Sequence, residues 1–100
     1  MPYLICYDIS DNSLRRQISD KLLENGLDRI NRSVFLGQME KSSLKLLEQY
    51  LSEQIIHKAS PNDSLIIIPI AAHQVDSMNI FGKNDLDKDE ITGKKTTLIL

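Results

Sequence analysis

The order of strand-like and helix-like segments constrains the fold of this chain more than any other feature. Short apolar runs, typical of buried strands, are separated by two segments whose apolar residues recur at helical spacing. From the N-terminus the order is strand, helix, two strands, helix and strand. A polar stretch and a last apolar run follow. The predicted strands are residues 3–7, 28–31, 32–39, 65–68 and 96–100.

Both helices carry start or stop signals. The first is predicted to begin at an N-cap, Asp11, and to end at Gly26, which can adopt the left-handed conformation without penalty. The second covers about residues 41–58 and ends at the polar turn 60–63. The apolar face of the first helix consists of Leu14, Ile18 and Leu22.

The element order βαββαβ is that of an α+β, ferredoxin-like fold. Between the second and third strands we predict a bend or bulge near Arg32 rather than a loop. Residues 71–95 have no clean period, so no regular element is predicted there. The apolar end, 96–100, predicts an additional strand that must pair with a sheet edge.

With 100 residues, the chain has room for one domain, with a core of about 1–82 and a tail, 83–100, that carries the last strand. Cys6 is the single cysteine, so no intrachain disulfide is possible, and it is typical of a reducing compartment. No signal peptide or membrane-spanning run is seen. These features predict a cytoplasmic protein without a membrane partner.

The net charge of −2 argues against bulk electrostatic binding to nucleic acid, but the charges are segregated along the chain. Basic residues cluster between Asn12 and Arg32, and acidic residues cluster near the C-terminus. The basic group is Arg15, Arg16, Lys21, Arg29 and Arg32, and the acidic group is Asp85, Asp87, Asp89 and Glu90.

Asp8 is the sharpest candidate for chemistry, because a carboxylate directly follows a buried strand. It could cap the turn or the following helix. Alternatively, it could bind Mg²⁺, which prefers carboxylate oxygens and keeps several waters. One aspartate is a weak site, but a homodimer with its two-fold axis near Asp8 would bring two copies together. A metal bound there could activate water for phosphodiester attack.

Guanidinium groups match phosphate oxygens, so the arginines are candidate phosphate contacts, with solvated surface charge as the alternative. The aromatic rings of Tyr7 and Phe35 could stack on bases or lie in the core. Neither His57, at a helix end, nor His73, in a predicted loop, has the spacing of a zinc site. No phosphate-binding loop, dinucleotide loop or serine-nucleophile elbow is present. The candidate arginines are Arg15, Arg16, Arg29 and Arg32.

In combination, several segments resemble the CRISPR-associated protein 2 family: residues 4–11, 14–16, 26–35, 65–70 and 80–82. The resemblance implies a ferredoxin-like homodimer whose C-terminal strand crosses to extend the partner's sheet. It also implies a scaffold that binds a DNA duplex with the CRISPR-associated integrase during spacer acquisition. Members have been described as metal-dependent nucleases on RNA or DNA, so single-stranded RNA is a second candidate substrate.

The resemblance also implies roles for individual residues. The family's metal aspartate falls on Asp8, and one Mg²⁺ would be shared by Asp8 of both protomers. The nucleic-acid contacts implied are Tyr7, Arg15, Arg16, Arg29 and Phe35. Gln17 stands where members often carry a further basic residue in the first helix.

Three functions are therefore compatible with the sequence. The first is a Mg²⁺-dependent endonuclease, and the second is a dimeric module that grips DNA while the integrase does the chemistry. These two do not exclude each other. The third is a stand-alone, toxin-like ribonuclease of related fold, such as the virulence-associated protein D group.

Overall fold

The computed structural model describes residues 1–81, which form one antiparallel sheet and three helices. The sheet has the order β2-β3-β1-β4, which is reached by a βαββαβ chain path, so the predicted ferredoxin-like α+β fold is confirmed. The predicted strand at 96–100 and the acidic cluster lie outside the described residues. The elements are β1 (Pro2–Asp8), α1 (Asn12–Glu24), β2 (Asp28–Asn31), β3 (Val34–Gln38), α2 (Lys41–Lys58), β4 (Ser64–Pro69) and α3 (Ala72–Ser77).

The main core lies between one face of the sheet and the helices α1 and α2. Alternate residues of β1 point into it, as the pleat of a strand requires, and meet the apolar faces of both helices. Burying each large apolar side chain contributes about 1.5–3 kcal/mol. The fully buried members include Ile5, Leu14, Ile18, Leu22, Phe35, Leu47 and Leu51.

Both predicted signals at the ends of α1 are confirmed. The side chain of Asp11 is the N-cap and accepts a hydrogen bond from the backbone N–H of Leu14 at 2.8 Å. Gly26 follows the helix in the left-handed conformation, with φ at +83°. These two residues fix where the chain enters and leaves α1, and therefore where α1 begins relative to the end of β1.

Replacing Gly26 with alanine should lower the free energy of unfolding by about 1–2 kcal/mol, because an L residue resists the left-handed conformation. An added Cβ would meet nothing within 4 Å, so the cost comes from the backbone rather than from a clash. Urea unfolding with an unchanged m-value checks this. Gly26→Asn is the matched control and should cost less; equal stabilities for wild type and Gly26→Ala would contradict the expectation.

Two local predictions need correction. The chain makes a turn at Arg32–Ser33 between β2 and β3, and the predicted bulge lies just before it, where the register shifts between Arg29 and Asn31. The sequence predicts no regular structure for residues 71–95, yet α3 forms at Ala72–Ser77. His73 therefore lies on a helix and not in a loop.

The helix α3 cannot be recognised from hydrophobic periodicity, because it is short and buries a single residue, Val75. It is held instead by contacts that a periodicity does not show. The side-chain oxygen of Gln74 accepts the backbone N–H of Ala71 at 2.8 Å, and Val75 packs against Leu36.

None of the helices within residues 1–81 is long and apolar enough to cross a membrane.

The sheet face opposite α1 and α2 is apolar and only partly covered. The helix α3 packs over Leu36 with help from a few half-buried residues. On β4, however, Ile66 is 53% exposed and Ile68 is 40% exposed. Neighbouring exposed apolar residues on a sheet are typical of an interaction surface.

Candidate nucleic-acid interface

A groove of about 670 Å³ lies where the end of β1, the start of α1 and the β2–β3 hairpin meet. All of the predicted site residues except Phe35 line this groove. It is formed locally, because α1 begins just beyond β1 and the turn of the β2–β3 hairpin lies beside the end of β1. Its lining is Tyr7, Asp8, Ile9, Asn12, Arg15, Arg16, Ser19, Asp20, Arg29, Arg32 and Ser33.

Asp8 is the last residue of β1, pairs with Ser64 of β4 and is exposed in the groove. Asp11 is the helix cap, so the interpretation of Asp8 as the cap of α1 is wrong. An exposed carboxylate at the end of a rigid strand has the oxygen chemistry that Mg²⁺ prefers. The metal-ligand interpretation of Asp8 stays a prediction.

The arginines of the groove differ in their contacts. Arg15 donates from Nη1 to the carbonyl oxygens of Ile9, at 2.9 Å, and Ser10, at 3.3 Å. It therefore holds the loop after Asp8 as well as lining the groove. Arg16 and Arg32 are exposed along the groove. Together the arginines form a positively charged wall beside the carboxylates of Asp8 and Asp20, and this wall suits a phosphate backbone.

Phe35 lies beneath the site and not in it. Its side chain has 0% exposure, so a base cannot stack on the ring, and the predicted base contact gives way to a core role. The Phe35 ring stacks with Tyr7 at a centroid distance of 6.1 Å. The guanidinium of Arg29 lies 5.1 Å above the Phe35 ring, a cation–π contact that orients Arg29 at the edge of the groove.

Tyr7 is also mostly buried, but its hydroxyl lies near the groove and donates to the carbonyl oxygen of Arg32 at 3.4 Å. Burial raises the pKa of the Tyr7 phenol, and the positive charge of Arg29 opposes this shift in part. The hydroxyl therefore stays protonated at neutral pH and can donate. A direct contact between Tyr7 and nucleic acid stays a prediction.

Gln17 does not weaken the groove, because its side chain faces α2. Its Nε2 donates to the Tyr50 hydroxyl and to Gln54 Oε1, both at 3.0 Å. Its Oε1 accepts from Lys58 Nζ at 3.0 Å. The side chain of Gln17 therefore stabilises the contact between α1 and α2 and does not line the groove.

Some groove residues were missed by the sequence interpretation. Asn12 and Asp20 stand one helical turn before and after Arg16, so the i, i+4 spacing could have placed them on the same face of α1. Outside the groove, Asp63 contacts the loop that follows Asp8. It has no such signal, because it lies in the turn before β4. Its carboxylate accepts the backbone N–H groups of Ser60 and Ser10, which hold the pKa of Asp63 below its usual value.

The carboxylate oxygens of the groove are ligands that suit Mg²⁺, but one chain does not supply enough of them for a complete metal site. Residues 1–81 contain no group of three or more His, Cys, Asp or Glu side chains that could hold a metal ion. Asp8 and Asp20 are the carboxylates that line the groove. Mg²⁺ commonly takes one or two carboxylates and keeps waters, so Asp8 can serve as a ligand, and more strongly if a second copy contributes its own.

The fold and the groove define a small ferredoxin-like protein with arginines around an exposed strand-end aspartate. Residues 1–78 match the family described as CRISPR associated protein Cas2. The chain is 36% identical over 67 residues to the CRISPR-associated endoribonuclease Cas2 of Korarchaeum cryptofilum, covering 67% of this chain and 69% of that protein. The chain therefore belongs to the Cas2 family.

A solved structure and a fusion protein extend the comparison. The crystal structure of Streptococcus pyogenes Cas2 at pH 6.5 has the same fold, with a TM-score of 0.70 at 18% identity over 82% of this chain and 100% of that chain. A CRISPR-associated endonuclease Cas1/endonuclease Cas2 fusion of Thermoproteus tenax is 33% identical over 55 residues, 55% of this chain and 21% of the fusion.

Proposed function

We propose that this chain is a dimeric CRISPR adaptation protein that binds duplex DNA together with the CRISPR-associated integrase, and that it is also a Mg²⁺-dependent endonuclease on RNA or DNA. The observation that carries the proposal is the placement of Asp8 and four arginines around one groove. The name endoribonuclease, carried by a relative, supports nuclease activity. The Cas1/Cas2 fusion supports an integrase partner.

Some residues of the groove bind the nucleic acid, and others take part in the cleavage reaction. Arg16 and Arg32 hold the phosphates of the strand through paired N–H donors. Arg29 is held in one orientation by the Phe35 ring, so it presents a fixed positive charge to the scissile phosphate. Asp8 would hold the Mg²⁺ ion. When bound, Mg²⁺ supplies Lewis-acid activation of water and neutralises charge on the phosphate.

A homodimer would complete this site, because Asp8 alone is a weak Mg²⁺ ligand set. The exposed Ile66 and Ile68 support pairing through the open face of the sheet, since burying them would remove apolar surface from water. Within residues 1–81, β4 pairs with β1 alone, so its other edge is open to a further strand. The C-terminal strand of the partner is our proposed occupant of that edge.

If the dimer forms through this face of the sheet, a polar substitution on β4 should weaken it. Ile66→Ser should raise the dissociation constant of the dimer roughly tenfold or more, because each protomer loses a buried apolar side chain. Sedimentation equilibrium over a range of protein concentrations measures this constant. Ile56→Ser is the matched control, because Ile56 is 75% exposed on α2 and lies on the other side of the sheet. Equal dissociation constants for wild type and Ile66→Ser would contradict pairing through this face.

Two assays on the wild-type dimer test the proposed function. In the first, labelled single-stranded RNA and duplex DNA are incubated with Mg²⁺ or with EDTA, and cleavage that EDTA stops supports the nuclease. In the second, spacer integration by the cognate integrase is measured with and without the chain, and a requirement for the chain supports the scaffold. Membership of the Cas2 family favours both over the stand-alone toxin. Cleavage that is absent or that EDTA does not stop would contradict the nuclease part of the proposal, and integration that does not require the chain would contradict the scaffold part.

A further inference from the structure

The loop that follows Asp8 is held from two sides by charged residues. Asp63 Oδ1 accepts hydrogen bonds from the backbone N–H of Ser10, at 3.1 Å, and from the Ser10 hydroxyl, at 3.2 Å. On the other side, Arg15 donates to the carbonyl oxygens of Ile9 and Ser10. The negatively charged carboxylate of Asp63 thus holds hydrogen-bond donors of this loop, and the positively charged guanidinium of Arg15 holds two of its acceptors.

Asp63 is itself anchored. Its Oδ2 accepts the backbone N–H of Ser60 at 2.9 Å, which fixes the carboxylate within the turn before β4. The next residue, Ser64, pairs with Asp8 across the sheet. The carboxylate of Asp63 therefore joins the start of β4 to the end of β1, next to the point where Asp8 leaves the sheet. Hydrogen bonds to an ionised carboxylate are roughly twice as strong as neutral ones.

We propose that Asp63 is a positioning residue for Asp8, fixing the loop of residues 9–11 and thereby the direction in which the Asp8 carboxylate meets a divalent cation. This inference rests on the proposed Mg²⁺ role of Asp8. A metal ligand requires defined orientation, and loss of a group that orients a ligand typically lowers metal affinity or activity 10- to 100-fold. Asp63 acts through the loop, since it does not line the groove itself.

The test compares Asp63→Ala with wild type in two measurements. The Mg²⁺ concentration that gives half-maximal cleavage should rise about tenfold, with the KM for the nucleic acid changed by less than about twofold. Independently of activity, Mn²⁺ serves as a paramagnetic probe, and its broadening of the Asp8 and Ile9 amide signals should need about tenfold more Mn²⁺. Asp63→Asn keeps one acceptor oxygen and should fall between the two.

Glu53→Ala is the matched control, because it removes an exposed carboxylate on α2 and should change neither midpoint. A merely structural role for Asp63 would lower the melting temperature and leave the Mn²⁺ midpoint of the folded protein unchanged, which would overturn the inference. If Mn²⁺ does not broaden the Asp8 signal in wild type, the proposed metal role of Asp8 fails, and the inference fails with it.

Discussion

Replacing Asp8 with asparagine should reduce Mg²⁺-dependent cleavage by about 100- to 1,000-fold. A metal ion supplies several kcal/mol of transition-state stabilisation, and each 1.36 kcal/mol is worth a factor of ten in rate. The substitution keeps the shape of the side chain and removes its charge. In a two-fold symmetric dimer it removes the charge from both protomers at once, so neither chain can compensate for the other.

The loss should not come from unfolding. Asp8 is exposed at the end of β1, and the cap of α1 belongs to Asp11. We therefore expect the melting temperature and the dimer of Asp8→Asn to match wild type. Time courses of cleavage of end-labelled single-stranded RNA measure the effect, with Glu53→Gln as an exposed carboxylate control outside the groove. Full cleavage by highly purified Asp8→Asn would remove Asp8 from the metal site.

Reversing two groove charges, in Arg16→Glu/Arg32→Glu, should weaken duplex DNA binding roughly 100-fold at low salt. Each lost phosphate contact should also reduce the slope of log affinity against log salt by about one. Arg16 and Arg32 are exposed, so their replacement should leave the core intact. Fluorescence anisotropy of a labelled duplex across a salt series measures both quantities.

The control for this pair carries the same change of charge on another face. Lys41 and Lys45 are exposed on α2, and Lys41→Glu/Lys45→Glu should reduce the affinity much less and keep the salt slope. Equal losses for the two pairs would mean that net charge, and not the groove, governs binding. Arg15 is left out of the variant because its guanidinium also holds the loop after Asp8.

Much of the fold follows from local patterns in the sequence. Strand and helix periods place the first six elements, and the predicted second helix coincides with α2. Asp11 and Gly26 act through backbone chemistry that is complete within a few residues, so their roles can be predicted from neighbours alone. The helix α3 could not be predicted in this way, because the contact of Val75 with Leu36 joins distant parts of the chain.

The candidate site, too, can be predicted from local sequence patterns only in part. Asp8 is predicted from its place directly after a buried strand, and the arginines are predicted from the match of guanidinium groups to phosphate. The topology then brings these residues together in the groove. The burial of Phe35 depends on how β3 pairs with both of its neighbours, which residue type alone does not reveal. The contact between Ser10 and Asp63 spans a sequence separation of 53, and no local pattern predicts it.

Photo-crosslinking of nucleic acid to the wild-type protein tests the central claim most directly. A duplex DNA and a single-stranded RNA with photoreactive bases are crosslinked to the protein, and the modified peptides are identified by mass spectrometry. We expect crosslinks in the α1 peptide around Arg16 and in the hairpin peptide around Arg29 and Arg32. Crosslinks confined to α2 would contradict the assignment of the groove as the nucleic-acid site.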